Sequence, residues 1–244
     1  MVFTSALLVG SFLNVCIYRI PRQESVAYPP SHCPHCQQRL GPLELIPLIS
    51  FLWQRGRCRH CAAAISWRYP LVELLTAILL TLVYLRFGWS LDLVYYGGLT
   101  ALYIVIGFID LSTMLIPTEL VVGGMLWVTA YNLFTRQAIS NWLLGGVLGC
   151  GLFYVIYVVS RGGLGGGDVR LASLLGLALG LERLPLALIL ACISGAAVAI
   201  FLLITRRANG KTPIPFAPFL AAAGYVAALW GEAIMLWYWS WLIS

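Results

Sequence analysis

Long apolar runs recur from one end of this 244-residue chain to the other, and they constrain its fold more than any other feature. A helix needs about 20 mostly apolar residues to cross a bilayer. The composition agrees, because 61% of the residues are apolar and 10% are charged, whereas soluble domains carry about 25% charged residues. The sequence therefore predicts an all-α polytopic membrane protein with about eight transmembrane helices and a small polar insertion.

The predicted spans follow these runs. An aromatic-rich tail, Met235 to Ile243, either extends the last span or lies at the interface. The sixth run is short, and Glu182, Arg183 and Pro185 separate it from the seventh. Residues 1–18 show neither a preceding basic stretch nor a clear cleavage site, so we interpret them as a retained first helix. The apolar runs are 2–18, 70–87, 91–110, 115–134, 141–160, 169–181, 184–205 and 213–230.

The basic residues indicate the orientation, because cytoplasmic loops collect Lys and Arg. If the polar segment 19–69 is cytoplasmic, only Arg86, Arg136 and Arg183 fall on the opposite side. We therefore predict an external amino terminus. The net charge of +6 does not indicate nucleic-acid binding, because no basic stripe is interleaved with stacking aromatics. The basic residues predicted to be cytoplasmic are Arg19, Arg22, Arg39, Arg55, Arg57, Arg59, Arg68, Arg161, Arg170, Arg206, Arg207 and Lys211.

Two Cys-x-x-Cys pairs stand in the polar insertion, Cys33-Pro-His-Cys36 and Cys58-Arg-His-Cys61. Each pair offers two thiolates from one tight turn, and two such turns complete a tetrahedral sulfur site for structural Zn²⁺. A cytoplasmic location favours a metal over disulfides, which are rare in that compartment. Two alternatives are a redox-active dithiol and ligation by His32, His35 or His60 in place of a cysteine.

Two aspartates occur at the ends of apolar runs, where acidic side chains are costly and indicate function. Asp110 ends the run Leu102–Ile109, and Asp168 follows a glycine-rich segment and opens another span. Two predicted helices separate them, and an even number of crossings returns the chain to the same side. We therefore expect both carboxylates at the cytoplasmic ends of their helices, where they can meet.

Such a carboxylate pair suits peptide hydrolysis. One member acts as a base toward water, while the other, protonated, donates to the carbonyl oxygen of the peptide. The glycine segment, with Gly165, Gly166 and Gly167 as candidate substrate-binding residues, lets backbone groups pair with an extended strand. The alternative is that Asp168 only caps a helix and the glycines only form a turn.

Several motifs resemble those of one family, the type IV prepilin peptidases, bifunctional leader peptidases and N-methyltransferases of the Gly-x-Gly-Asp class. The resemblance covers nearly the whole chain. Two small departures are Arg170, where a lysine is common, and Thr118, where Asp or Asn often follows Ile-Pro. The motifs are Gly10-Ser-Phe-Leu-Asn-Val-Cys-Ile-Tyr-Arg-Ile-Pro21, the paired cysteines with Ile46-Pro-Leu-Ile-Ser50 and Arg55-Gly-Arg-Cys-Arg59, Arg68-Tyr-Pro-Leu-Val-Glu-Leu-Leu-Thr76, Asp110 with Ile116-Pro117, Gly165-Gly-Gly-Asp168, and Pro215-Phe-Ala-Pro-Phe-Leu220.

This resemblance implies a bacterial inner-membrane enzyme. Its substrates would be pilin-like precursors with a short basic leader, cut on the cytoplasmic side just before a hydrophobic helix. It further implies methylation of the new amino terminus with S-adenosylmethionine. The residues expected near the methyl donor are Asn14, Arg19, Glu44 and Glu73. Arg19 and Glu73 alternatively form an ordinary ion pair at the membrane boundary.

The predicted domains are a first transmembrane helix, 1–18, a cytoplasmic zinc-ribbon-like insertion linked to methylation, 19–69, and a peptidase domain, 70–244. An ion-coupled transporter would also use intramembrane carboxylates, but its sites lie near the bilayer midplane. A non-enzymatic assembly factor would leave the acidic pair unexplained. Another Gly-x-Gly-Asp protease, cutting within a substrate's span, is a further alternative, although placement at helix ends favours a cut at the membrane surface.

Overall fold

The computed structural model describes residues 1–161, 163–207, 209 and 212–243. Gly162, part of the glycine run, and Lys211, one of the predicted cytoplasmic basic residues, lie outside the described residues. Within these ranges the chain forms the following α-helices: α1 (Val2–Arg19), α2 (Ile49–Trp53), α3 (Arg68–Phe87), α4 (Leu91–Thr113), α5 (Thr118–Phe134), α6 (Ile139–Val159), α7 (Gly166–Ile204) and α8 (Ala217–Ile243).

Six of the described helices are long and apolar enough to cross a membrane. The described part of the chain has no β-strand, only two isolated bridges in the insertion. The predicted all-α polytopic membrane fold is thus confirmed, whereas the number of eight crossings stays a prediction. The aromatic tail continues α8. The six spans are Val2–Arg22, Arg68–Phe87, Leu91–Thr113, Ile139–Val159, Gly166–Ile204 and Ala217–Trp241.

The predicted sixth and seventh helices form one element, α7, which is broken at Gly180. A straight helix of its 39 residues would be about 58 Å long, nearly twice the roughly 30 Å of a bilayer core. Gly180 has φ 70° and ψ 178°, a conformation that only glycine adopts without strain. The break therefore falls at this glycine. The charged residues and the proline had suggested a boundary at Glu182 to Pro185.

Two asparagine side chains stabilise the broken stretch. The backbone N–H of Leu181 donates to Asn141 Oδ1 at 2.9 Å, and Asn132 Nδ2 donates to the carbonyl of Leu177 at 3.1 Å. A backbone group released inside a membrane needs such a partner, because lipid offers none.

The chain divides into two compact units, Met1–Val105 and Ile106–Ser244. In the first unit α1 packs against α3, and the contact is close at Gly10. A Cβ atom there would lie 2.8 Å from the Cα of Glu73, so only glycine permits this approach.

In the second unit α6 packs against α7 through glycines. A Cβ atom on Gly145 would lie 2.5 Å from the carbonyl oxygen of Gly176, and one on Gly149 would collide with the backbone of Ala172. These glycines let the two helix backbones approach closely. Gly123 and Gly151 have open space at the Cβ position and do not serve this role.

The difference between packed and open glycines on α6 can be tested by measuring stability. We expect Gly145→Ala to force α6 and α7 apart and to cost about 1–3 kcal/mol. Gly151→Ala, on the same helix, is expected to be neutral or to stabilise by up to about 1 kcal/mol, because alanine favours helix and meets no neighbour. Thermal unfolding of the two variants in one detergent measures the difference. Equal transition temperatures would contradict the packing.

Candidate active site and metal centre

Asp110 is fixed by the start of the last helix. It lies three residues before the end of α4 and is 5% exposed. Its Oδ2 accepts a hydrogen bond from the backbone N–H of Ala217, the first residue of α8, at 3.1 Å. Gly107, one turn earlier, faces Pro218, whose Cα would lie 3.6 Å from an added Cβ. The carboxylate therefore sits at a helix amino terminus, where the dipole favours negative charge.

Asp168 is the third residue of α7 and is 8% exposed. Its Oδ2 accepts from the backbone N–H of Gly165 at 3.2 Å, and its own N–H donates to the carbonyl of Gly165 at 3.1 Å. The capping contact considered as the alternative is therefore present. Capping leaves one atom unexplained, however, because the buried Oδ1 has no hydrogen-bond partner among the described residues. Such an atom in a folded protein indicates a ligand or a catalytic role.

The fold brings the two aspartates together, as the sequence predicts. Asp110 and Asp168 belong to the same compact unit and interact electrostatically. Each uses Oδ2 to accept a backbone N–H from the start of a helix segment. A pair of buried like charges is unfavourable, so two interacting buried carboxylates indicate a functional site.

The three candidate glycines differ in their surroundings. Gly166 and Gly167 belong to the first turn of α7 and not to the preceding loop. A Cβ on Gly167 would lie 2.8 Å from the Cβ of Ile116, whereas one on Gly166 would meet nothing within 4 Å. Gly167 is thus a packing residue against the Ile-Pro motif. Gly166 leaves its backbone accessible from one side.

Arg170 contacts the glycine turn, which the sequence alone did not lead us to expect. Its Nε donates to the carbonyl of Gly166 at 3.3 Å, and its Nη1 hydrogen-bonds to Thr118 Oγ1. The side chain therefore ties the glycine turn to the first residue of α5. Arg170 and Thr118 are the two departures from the family pattern, and the structure shows that they are partners. Because both residues differ from the family pattern in this chain, the sequence contained a signal that they contact each other.

Removing this tie tests its importance. We expect Arg170→Met and Thr118→Val each to lower peptide cleavage by about tenfold, because the glycine turn loses its anchor. Since both remove one contact, the double variant should be little worse than the worse single one. Cleavage rates of the three variants at equal folded protein decide this. Multiplicative losses would mean that the two residues act separately.

The four cysteines lie on two turns of the same design. In each, the N–H of the residue four positions after the first cysteine donates to that cysteine's carbonyl, from Gln37 to Cys33 and from Ala62 to Cys58, both at 2.9 Å. Gln37 and Ala62 have left-handed φ values of 59° and 60°. Each turn directs two sulfurs to one side.

The sulfur atoms form a compact cluster. All four Sγ atoms lie within 4.8 Å of one another, and those of Cys33 and Cys61 are 3.9 Å apart. A tetrahedral site with Zn–S bonds of about 2.3 Å has sulfurs about 3.8 Å apart, so the cluster could hold a metal ion. No histidine takes part in this group within the described residues. The geometry thus favours four cysteines over a histidine ligand.

Backbone hydrogen bonds lower the pKa of one cysteine in the cluster, Cys58. The N–H groups of Cys61 and His60 lower the pKa of Cys58 to about 6. A backbone hydrogen bond at Ala63 acts in the same direction on Cys61, but burial and the neighbouring thiols raise its pKa to about 11. The lowered pKa of Cys58 favours the thiolate, which is the form that binds a metal ion.

A cavity of about 420 Å³ lies in the first unit, between α1, the start of α3 and the insertion. It is lined by all four residues expected near the methyl donor, Asn14, Arg19, Glu44 and Glu73. The fold therefore gathers residues that are up to 59 positions apart in the sequence. Its volume falls within the roughly 300–1,000 Å³ of small-molecule sites.

Arg19 and Glu73 do not form the ion pair considered as an alternative. Both guanidinium terminal nitrogens of Arg19 donate to backbone carbonyls, those of Ser25 at 2.8 Å and Pro29 at 2.6 Å. Glu73 Oε2 accepts the N–H of Leu48 at 2.9 Å. Each buried charge thus stabilises a segment of the insertion. These contacts shape the wall of the cavity.

The comparisons with known proteins agree with this arrangement. Residues 4–87 match the model of the bacterial Peptidase A24 N-terminal domain, and residues 98–200 match the type IV leader peptidase family. The membrane-spanning helices and the family matches together place the chain in the class of membrane peptidases. This chain belongs to the type IV leader peptidase family, which confirms the predicted resemblance.

Its relatives in three bacteria share one name, prepilin leader peptidase/N-methyltransferase. The protein of Aeromonas hydrophila is 38% identical, over 98% of this chain and 92% of its own length. That of Bacillus subtilis (strain 168) is 36% identical, with 98% and 96% covered. That of Pseudomonas aeruginosa is 35% identical, with 93% and 89% covered. No solved structure matches the chain.

Proposed function

We propose that this chain is a bifunctional enzyme that removes the leader from type IV pilin-like precursors and methylates the amino terminus so created. The buried pair of Asp110 and Asp168, each held by one backbone N–H, is the observation that carries the peptidase activity. The names of its relatives combine both activities.

Cleavage requires the two carboxylates in different protonation states. One removes a proton from water, and the other, protonated, donates to the carbonyl oxygen of the scissile peptide. The N–H groups of Ala217 and Gly165 orient the two side chains through Oδ2. Oδ1 of Asp168, which has no partner among the described residues, is the atom we assign to water or substrate. Because the two carboxyl groups interact, their protonation steps are properties of the pair and not of either aspartate alone.

The active site lies at the cytoplasmic face of the inner membrane in this proposal. The two aspartates are on one side of the bilayer if both α5 and α6 cross it, and the 17 residues of α5 suffice for a short span. Counting α7 as two segments around Gly180 then gives eight crossings. Both aspartates are close to helix ends, which argues against a transport site at the midplane.

The pilin precursor would place its hydrophobic helix beside the bundle and its leader junction at the aspartates. The first turn of α7 has backbone N–H groups without intrahelical partners, and Gly166 has no neighbour on its Cβ side. An extended peptide could therefore hydrogen-bond to this turn. Gly165 and Gly167 keep the turn close to Asp168 and to the Ile-Pro motif.

Methylation belongs to the amino-terminal segment and the insertion in this proposal, and cleavage to residues 70–244. The four cysteines would hold a structural Zn²⁺, since four protein thiolates leave no open position for chemistry. Asn14, Arg19, Glu44 and Glu73 would hold S-adenosylmethionine, which supplies an electrophilic methyl group when bound. Buried polar atoms in the cavity and its size fit such a ligand.

The test is a reconstitution of the purified protein in lipid with a pilin precursor and S-adenosylmethionine carrying a labelled methyl group. We expect loss of the leader with or without the methyl donor, and label only on the cleaved product. A precursor that stays intact would overturn the peptidase assignment. A cleaved product without label would overturn the methyltransferase assignment alone.

A further inference from the structure

One cavity of the first unit is lined by three side chains that each have a buried polar atom without a hydrogen-bond partner among the described residues. These atoms are Asn14 Oδ1, Glu44 Oε1 and Arg68 Nε. The three come from α1, the insertion and α3. Unpaired buried polar atoms destabilise a fold, so a cluster of them around one cavity indicates a ligand that supplies the missing partners.

The two acceptors are held in place by their other atoms. Asn14 Nδ2 donates to the carbonyl of Tyr69 at 3.0 Å, which fixes the orientation of the amide. Glu44 Oε2 accepts the N–H of Gly41 at 2.7 Å, and His60 Nε2 is 3.6 Å from Oε1, too far for a hydrogen bond. Asn14 is 3% exposed and the Glu44 side chain 10%. The cavity thus presents two buried acceptors.

Arg68 adds a hydrogen-bond donor to the two acceptors of the cavity. It is the first residue of α3, and its guanidinium carbon lies 5.4 Å from the centroid of the Tyr69 ring. Guanidinium groups bind carboxylates through two parallel N–H donors, and Nε is one of the atoms they use. No anionic partner of Arg68 is found within the described residues. The cavity therefore combines a site for a carboxylate with a site for a cation.

The cavity thus has a donor suited to a carboxylate and acceptors suited to an ammonium group. This combination matches the α-amino and α-carboxylate groups of an amino acid, called the amino acid head below. We propose that Arg68 binds the carboxylate of the methionyl part of S-adenosylmethionine, while Asn14 Oδ1 and Glu44 Oε1 accept hydrogen bonds from its ammonium group. This assignment rests on the proposed methyltransferase function. It adds a residue that motif analysis did not connect with the methyl donor.

Two ligands separate recognition of the amino acid head from recognition of the nucleoside. S-adenosylhomocysteine carries the head, and 5′-methylthioadenosine lacks it. We expect the full-length wild-type protein in lipid to bind S-adenosylhomocysteine at least about tenfold more tightly, since charged hydrogen bonds to the head are lost in the smaller ligand. Calorimetric titration measures both affinities without any turnover.

Arg68→Gln should weaken binding of S-adenosylhomocysteine by about tenfold or more and leave that of 5′-methylthioadenosine unchanged. Arg68→Lys should restore part of the difference. Arg86→Gln, at the other end of α3 and outside the cavity, is the matched control and should behave as wild type. Cleavage of a pilin precursor by each variant verifies that it is folded.

The possible failures are distinct. If Arg68→Gln weakens both ligands equally, or if the wild type does not prefer S-adenosylhomocysteine, the assignment of Arg68 is wrong while the methyltransferase function stands. If the wild type binds neither ligand and transfers no methyl group, the proposed methyltransferase function is wrong and the assignment falls with it.

Discussion

Asp110→Asn and Asp168→Asn are each expected to reduce cleavage of a pilin precursor by at least about a hundredfold, the contribution of a positioned acid or base. Asparagine retains a carbonyl oxygen that accepts the N–H of Ala217 or Gly165, so the local structure persists. It cannot exchange a proton with water or substrate. Cleavage of a synthetic precursor by purified variants in lipid, followed by mass spectrometry, measures the loss.

The control is Glu182→Gln, which removes an exposed carboxylate from the same helix as Asp168 and should cleave normally. Methylation of a pilin that already lacks its leader should continue in both aspartate variants, because the cavity proposed for the methyl donor lies in the first unit. Full cleavage by either variant would remove that residue from the mechanism. For Asp168 only the helix-capping role would then remain.

Cys58→Ser is expected to release the metal and to reduce methyl transfer by at least about tenfold, the loss typical when metal-site contacts are removed. Serine does not supply a thiolate, and the remaining sulfurs cannot complete a tetrahedral site. Cys33 and Cys58 also line the cavity, so loss of the metal should distort it. Metal content by mass spectrometry and methyl transfer to a leaderless pilin measure the two effects.

Cys150→Ser serves as the control, because this cysteine is exposed on α6 and should change neither readout. Cys33→Ser should behave like Cys58→Ser. Cleavage of the precursor should survive in both variants, since the aspartates belong to the other unit. Unchanged metal content in Cys33→Ser and Cys58→Ser would refute the four-cysteine site.

Much of the fold and the site could be predicted because the membrane limits the possibilities. Apolar runs of sufficient length predict helices that can cross the membrane, and the parity of predicted crossings leads to the expectation that Asp110 and Asp168 lie on one side. The spacing of the cysteines fixes the design of the two turns. Span length and cysteine spacing are properties of short segments, and the parity follows from counting the predicted helices.

Other features depend on contacts between distant residues, which a single sequence does not reveal. The break in α7 falls at Gly180, because Asn141 stabilises the released backbone of Leu181. Pro185, which suggested a later boundary, is accommodated within the helix. The tie from Arg170 to Thr118 and the cavity position of Arg68 likewise arise only when separate helices pack together.

The contact between Asp110 and Ala217 should make cleavage sensitive to the thickness of the bilayer. The opposite end of α8 carries exposed Trp237, Trp239 and Trp241, residues that anchor a helix at the membrane interface. A thicker or thinner bilayer tilts or shifts such a helix, and its first N–H moves relative to the carboxylate. Cleavage should therefore vary with lipid acyl-chain length in wild type. Independence of chain length would show that α8 does not transmit the mismatch.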